Sequence, residues 1–357
     1  MNKGLIQAVG AYTIWGLSPI FWKGLSEIPA MYSLAHRMFW TFVVMALLQM
    51  LRRSWPMFRE QNSSKRSQII GVMSALLLGT NWLIWVWAMN VDRVVEGSLG
   101  YFINPLVSVF LGVVFLGESL RRRQWLAISL AAIGVLWLTV SVGSLPWVSL
   151  VLAGTFGFYG LSKKLTEQTP INGLTSEMLV MLLPALTYLL ICSFNGSQNL
   201  NEIDSIEILL LITSGFFTAA PLLLFANAVK EVPLSVIGLL QFLAPTAQFL
   251  LGVLAYDEPF DMMQLVGFII IWSALIIFVT DSFLILLQLL CFTTSFRDFI
   301  PLLVGAVQSF FGLHPADHGF RKVLIQCSPV FFSSINPQIR KHFIGKEVFM
   351  ISIKIIH

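Results

Sequence analysis

The sequence predicts an all-α integral membrane protein of ten transmembrane helices, arranged as two inverted five-helix repeats. Composition is the first observation: 57% of the 357 residues are hydrophobic and only 11% are charged, against roughly a quarter charged in soluble domains. A soluble fold is excluded, because it would expose large apolar patches. The second observation is a series of ten apolar stretches, and the third is a motif of the fourth stretch that returns in the ninth.

The ten spans follow from the roughly 20 mostly apolar residues that a helix needs to cross a bilayer. The connectors between them are short, polar or marked by proline and glycine. Lys3 before the first stretch resembles the start of a signal peptide, but no small-residue cleavage site follows, so we expect a retained first helix. The predicted spans are residues 4–22, 34–51, 69–89, 97–117, 124–142, 146–162, 177–193, 206–226, 234–256 and 263–282.

An offset of 140 residues relates the two halves of the chain. It pairs Pro105 with Pro245 and Glu118 with Glu258, and it also pairs glycines and glutamines. Matching leucines carry little weight in so apolar a chain, whereas these residue types seldom coincide by chance. The offset predicts an internal duplication, with a first repeat in residues 1–142 and a second in residues 143–284.

Basic residues in short loops predict the orientation. The N-terminus and the loops after even-numbered spans carry most of them, including Arg121–Arg123 and Lys163–Lys164, whereas the loops after spans seven and nine are acidic. The N-terminus is therefore predicted to be cytoplasmic. Because matching spans are five apart, the second repeat must be inverted. Inverted repeats are typical of transporters, whose solute site lies near mid-membrane where the halves meet.

Pro105 and Pro245 indicate a place for that site. A proline inside a helix removes the hydrogen bond to the carbonyl four residues earlier, which here belongs to Tyr101 and Gln241. Asn104 adds an amide beside the first proline. Helix breaks at matching places in two halves favour a binding site, and the alternative is a kink that serves packing alone.

Aromatic and ionisable side chains supply further candidates. Asn81 and Trp85 share one helix face with Trp82 beside them, which suits an organic, partly apolar solute, with aromatic packing as the alternative. His36 and Arg37 open the second span, and ionisable residues inside a span are functional candidates. For Arg37 the alternative is extension to the lipid headgroups.

Other features predict structure rather than chemistry. Glu118 and Glu258 each precede a span and are expected to interact with the N-terminus of the following helix. The three cysteines lack paired or metal-like spacing. Residues 285–357 have no counterpart in the repeat, and we expect an atypical C-terminal tail outside the core.

Several motifs resemble those of EamA-type transporters of the drug/metabolite transporter superfamily. They include Ala11–Gly16, Ser98–Leu106, Phe115–Glu118 and Phe158–Leu161, and the resemblance covers about residues 3–283. It implies ten helices as two inverted halves in the bacterial inner (plasma) membrane. It also implies a secondary transporter of small organic molecules, metabolites or drugs, with export as the expected direction.

The sequence thus predicts a transporter that works by alternating access and uses no cofactor, metal or catalytic residue. The expected partners are a small-molecule substrate and the lipid bilayer, and no nucleic acid is expected. The sequence leaves open whether the protein forms a homo-oligomer. One alternative is a passive channel or facilitator, which needs a continuous polar stripe. The other is a membrane-embedded enzyme, which needs clustered catalytic or metal-binding side chains. The candidate residues of the solute path are Trp15, His36, Arg37, Asn81, Trp82, Trp85, Tyr101, Asn104, Pro105, Tyr159, Gln241 and Pro245.

Overall fold

Every regular element in the described part of the chain is a helix. The computed structural model describes residues 3–91, 93–142, 147–195, 204–256, 262–263 and 265–281. The predicted tail, residues 285–357, lies outside this part, as does Glu258. The helices are α1 (Lys3–Lys23), α2 (Ala30–Leu51), α3 (Trp55–Gln61), α4 (Lys65–Asn90), α5 (Val94–Leu116), α6 (Arg122–Val142), α7 (Trp147–Leu165), α8 (Pro170–Phe194), α9 (Ser205–Glu231), α10 (Leu234–Leu240), α11 (Leu243–Ala255) and α12 (Leu265–Asp281).

By length and composition, 8 helical segments of the described chain can cross a membrane. They correspond to α1, α2, α4, α5, α6, α8, α9 and the α10–α11 pair. The predicted spans 146–162 and 263–282 fall on α7 and α12, which are not in this set. In α7, Lys163 and Lys164 in the last turn dilute the apolar stretch, and α12 is a shorter apolar helix. The all-helical, apolar class predicted from the sequence is confirmed for the described residues.

Local signals set the helix ends. Pro29 precedes α2, so this helix begins at Ala30, four residues before the predicted start of its span. Asp204 and Glu207 form a capping box at the start of α9. Gly117 ends α5 with φ 65°, in the left-handed region that glycine adopts without strain.

The predicted helix break occurs in the second half only. Between α10 and α11 the chain interrupts its helix at Gln241 and Phe242, and Pro245 lies in the first turn of α11. The Gln241 carbonyl, expected to be free, accepts from the backbone N–H of Ala244 at 3.2 Å. Pro105 lies inside α5, which stays helical from Val94 to Leu116. One missing N–H does not by itself end a helix whose neighbours hold it in place.

The most extensive helix pairings join the two predicted repeats. They are α5 with α7, α2 with α8, α1 with α9, α2 with α9, α5 with α10, α4 with α7 and α1 with α11. One core cluster of buried apolar residues accordingly contains Tyr12, Met45 and Leu78 from the first repeat together with Tyr159 and Phe225 from the second. The described residues up to Asp281 form one unit with a shared interior.

Contacts between helix ends show which of the segments that connect the helices lie at the same end of the bundle. On one face, Arg121 before α6 pairs with Asp281 at the end of α12, with 3.1 Å between Nη1 and Oδ2. There too, Lys164 at the end of α7 donates to the carbonyl of Val229 near the end of α9 at 2.8 Å. On the opposite face, Lys23 at the end of α1 lies 3.8 Å from the ring centre of Tyr256, which follows α11.

Candidate functional site

Arg37 is the charged residue at the centre of the candidate site. Because α2 begins at Ala30, Arg37 lies about 10 Å along the helix axis from the first residue. Its guanidinium carbon is 4.1 Å from the ring centre of Trp82 and 5.0 Å from that of Trp22. Its Nε donates to the hydroxyl of Thr218 at 2.9 Å. The side chain therefore lies among α1, α2, α4 and α9.

A second aromatic pair lies one helical turn from Trp82. The rings of Trp85 and Tyr101 meet edge to face with centres 5.0 Å apart, and both residues are half-buried. Gly97 makes this contact possible, since a Cβ there would come within 2.7 Å of the Trp85 ring. Trp82 and Trp85 lie three residues apart on α4, so this pair is next to the ring that contacts Arg37. The structure thus groups four predicted residues: Arg37, Trp82, Trp85 and Tyr101.

A separate aromatic cluster joins the two predicted repeats. Trp15 of α1 lies 5.7 Å from Phe156 and 5.8 Å from Phe225, measured between ring centres. Tyr159 stacks on Phe225 at 6.1 Å. Trp15 and Tyr159, both predicted, therefore belong to one cluster. The sequence missed Phe156 and Phe225, because nothing separates them from the other phenylalanines of so apolar a chain.

Two predicted amides are engaged with protein. Asn81 is buried and donates to the Leu152 carbonyl at 2.9 Å and to the Thr155 hydroxyl at 3.0 Å, which ties α4 to α7. Gln241 is also buried, and its amide donates to the Ser108 hydroxyl at 3.2 Å, across the contact of α10 with α5. These bonds hold helices together and leave less of either amide for a solute.

His36 and Asn104 are the predicted residues with fully buried polar atoms that lack a partner among the described residues. Both ring nitrogens of His36 are buried without a hydrogen-bond partner among the described residues, and the ring lies 4.6 Å from that of Tyr32. The side-chain oxygen of Asn104 is likewise buried and unpartnered within this part of the chain. In the part of the chain that the structure describes, neither residue makes a ring contact or hydrogen bond with Arg37, Trp82, Trp85 or Tyr101.

Glu118 does cap a helix, but a different one from that predicted. Its carboxylate accepts from the backbone N–H groups of Leu234 at 2.7 Å and Ser235 at 2.8 Å. The capped helix is α10 of the second repeat, whereas the following helix, α6, begins with Arg121 donating its N–H to the Gln124 side chain at 3.0 Å. The reason is that α5 packs directly against α10.

A buried ion pair escaped the sequence prediction. Lys163 and Glu177 are each only 2% exposed, with 2.5 Å between Nζ and Oε1, and the Tyr159 hydroxyl donates to Oε2 of Glu177 at 3.2 Å. The sequence suggests Lys163 as a loop cation, because it follows the last apolar residues of span six. A signal was present in the four-residue spacing of Tyr159 and Lys163, which puts both on one helix face.

The grouped residues suit recognition rather than bond chemistry. Within the described ranges, no cluster of histidine, cysteine and carboxylate side chains could hold a metal ion. One open crevice, lined by residues that include Gln61, Arg66 and Gln168, lies among the loops and contains none of the predicted residues. The Arg37 group offers a cation, hydrogen-bond donors and flat apolar surfaces, which can bind and orient an organic solute.

Comparison with known proteins gives close sequence relatives. The model of the EamA-like transporter family matches residues 2–140 and 145–280. Protein RarD of Streptomyces exfoliatus is 42% identical over 281 residues, which covers 79% of this chain and 89% of the relative. The uncharacterized transporter YojE of Bacillus subtilis (strain 168) is 43% identical over 283 residues, covering 78% and 93%. One solved crystal structure has a TM-score of 0.63 at 14% identity, over 77% of this chain and 97% of its own, a likeness of fold alone.

Proposed function

Since the chain belongs to the EamA-like transporter family, we propose that it is a secondary transporter that carries small organic molecules by alternating access of two inverted halves. The resemblance predicted from the sequence is thereby confirmed: this is a RarD-like, multi-pass bacterial membrane protein and a transporter of the drug/metabolite type. The mechanism, the solute path and the direction are the proposed part.

The pattern of helix pairings carries the proposal of alternating access. Because matching spans are five apart, the counterparts of α1, α2, α4 and α5 are α7, α8, α9 and the α10–α11 pair. Exchanging each helix for its counterpart turns the α1–α9 pair into α7–α4 and the α2–α9 pair into α8–α4, and all four of these pairings exist. The α5–α7 pair becomes α11–α1, which also exists, while α2–α8 and α5–α10 become themselves. Such exchange supports two related halves that meet along one interface, as alternating access requires. The family model also matches the chain twice, over residues 2–140 and 145–280.

The two faces of helix ends support the topology. Two connections that are predicted on the cytoplasmic side contact each other through Arg121 and Asp281. Two connections that are predicted outside contact each other through Lys23 and Tyr256. With the positive loops inward, the N-terminus is cytoplasmic and the protein resides in the inner membrane. Export is the proposed direction.

The bonded amides favour this proposal over the alternatives. Asn81 and Gln241 donate to protein groups, so they do not form part of a continuous polar stripe such as a passive channel needs. The ion pair of Lys163 and Glu177 ties α7 to α8, and the Tyr159 hydroxyl donates to Glu177, so the three groups bond to one another. We therefore propose a carrier that is not an enzyme.

Counterflow in liposomes tests the function. The purified full chain is reconstituted, loaded with one candidate solute and given the labelled solute outside. A carrier accelerates label uptake when unlabelled solute is inside, and the uptake saturates. A channel gives uptake that rises in proportion to concentration without acceleration. Proportional uptake would reject alternating access, and no uptake across a broad metabolite panel would reject transport of small organic molecules.

A further inference from the structure

Arg37 has unused capacity to bind an anion. Its guanidinium carries five N–H donors, and Nε alone donates to a described residue, Thr218. The salt bridges found in the described chain involve other cations, so Arg37 has no carboxylate partner there. A cation held inside a bundle without a counter-charge is costly unless a ligand supplies one.

The surroundings of Arg37 define the shape of that ligand. Trp22 and Trp82 both lie against the guanidinium, and they hold its planar fork in a fixed direction. The residue is half-buried, so part of the side chain remains accessible. The Trp85–Tyr101 pair extends the aromatic surface beyond Trp82. A planar two-oxygen anion matches the guanidinium fork, and an apolar body matches the rings.

We propose that Arg37 binds the carboxylate of the transported solute, so that the substrate class is small organic acids with an aromatic or apolar body. The role in transport rests on the proposed function, whereas the binding itself does not require transport. Arg37 was expected from the sequence to be either a site residue or a headgroup anchor. Its stacking and its distance from the helix start favour the site.

Arg93 is a matched control for Arg37. It too lies near two tryptophans, with its guanidinium carbon 5.9 Å from the ring centre of Trp87 and 6.0 Å from that of Trp147. It differs because it already has a carboxylate partner, Glu96, at 3.5 Å, and because its side chain is 45% exposed. A general effect of removing a stacked arginine would therefore appear in both variants.

The experiment compares carboxylates with their amides on the solubilised full chain. The probes are phenylacetate with phenylacetamide and hexanoate with hexanamide at millimolar concentration, and phenyl phosphate serves as a second anion. The readout is the shift of the thermal unfolding midpoint, followed by tryptophan fluorescence. We expect the carboxylates to stabilise the wild type more than the amides do. In Arg37→Gln the apparent affinity for phenylacetate should fall roughly tenfold or more, and in Arg93→Gln it should not change.

Arg37→Lys guards against a variant that fails to fold. It keeps the charge but loses the fork, so carboxylate binding should be weakened less than in Arg37→Gln. Equal effects of acid and amide on the wild type, no effect of either acid, or undiminished binding in Arg37→Gln would overturn the proposal. A larger effect of phenyl phosphate than of phenylacetate would overturn the carboxylate assignment. Arg37-dependent binding without counterflow would support the anion site and reject the transport function. Saturable counterflow of amides alone would support the transport function and reject the anion site.

Discussion

The carbonyl oxygen of Pro105 lies so close to Gly238 that a Cβ on the glycine would come within 2.7 Å of it. Pro105 belongs to α5 and Gly238 to α10, so this contact lies where the two predicted repeats meet. The neighbouring atoms are also near, with the Ser108 Cβ at 3.0 Å from the same position. Glycine is therefore required for the two helices to approach at this distance.

Gly238→Ala should destabilise the protein by about 1–3 kcal/mol, because the obstructing atom is backbone and cannot rotate away. Unfolding of the purified protein in mixed micelles, titrated with a denaturing detergent, measures the change. Gly154→Ala is the control, since a Cβ there meets nothing within 4 Å. A stability for Gly238→Ala equal to that of the control would show that the helices separate easily at this crossing.

The buried ion pair predicts a second stability effect. Glu177→Gln leaves the Lys163 ammonium without its counter-charge at 2% exposure, so a loss of about 3–5 kcal/mol is expected. The exposed pair of Arg66 and Glu167, at 3.9 Å, provides the control, and Glu167→Gln should change stability by less than about 1 kcal/mol. The same detergent titration measures both.

A double replacement tests whether the unpaired buried charge causes that loss of stability. Lys163→Met with Glu177→Leu removes both charges and fills similar volume, so much of the stability lost in Glu177→Gln should return. If the single variant Glu177→Gln is as stable as the wild type, the pair does not contribute to the packing of α7 against α8.

The sequence predicted the helices well, because a membrane makes apolar length a direct signal. Each predicted span overlaps a helix of the described chain. It predicted their ends less well. Because Pro29 precedes α2, this helix begins before the predicted start of its span, and Arg37 lies further from the helix start than predicted. The break after Leu240 was anticipated from Pro245, whereas α5 passes through Pro105 unbroken, because packing and not proline alone decides whether a helix continues.

Contacts between distant helices were beyond sequence reasoning. Thr218 bonds Arg37 from 181 positions away, and Glu118 caps α10 rather than α6. Neither partner carries a local pattern that reveals the pairing, because such pairs are fixed by how helices cross. The sequence does predict both Arg37 and Trp82 as site residues, because each has a side chain suited to binding an organic solute.

Cysteine labelling of intact cells tests the predicted inversion. In a background with Cys192, Cys291 and Cys327 replaced by serine, Arg122→Cys should react only with a reagent that enters the cytoplasm. Asp261→Cys should react with a reagent that stays outside, because the loop after span nine is predicted on the opposite face. Labelling of both positions from one side would contradict the inverted repeat. The fraction labelled before and after cell lysis is the measurement.

Tyr101→Phe should change the affinity for the solute and Gln241→Leu the stability of the fold, although the sequence predicts both residues for the solute path. The Tyr101 hydroxyl makes no hydrogen bond to a described residue, and the side chain is half-buried beside Trp85. Removing this hydroxyl should weaken solute binding by roughly 1 kcal/mol, several-fold in affinity, and leave stability unchanged. Gln241 is buried and bonded to Ser108. Its replacement should lower stability by about 1–3 kcal/mol and leave the affinity of folded protein unchanged.

Affinity measurements on matched amounts of folded protein distinguish these outcomes. Affinity for phenylacetate, or for a solute found by counterflow, is measured alongside the detergent titration for each variant. Leu47→Met is the control, because Leu47 is 52% exposed and its replacement changes apolar shape alone. If Tyr101→Phe binds as the wild type does while Gln241→Leu loses affinity at full stability, the solute path runs along α10 and Ser108. The Trp85–Tyr101 pair would then be packing between α4 and α5.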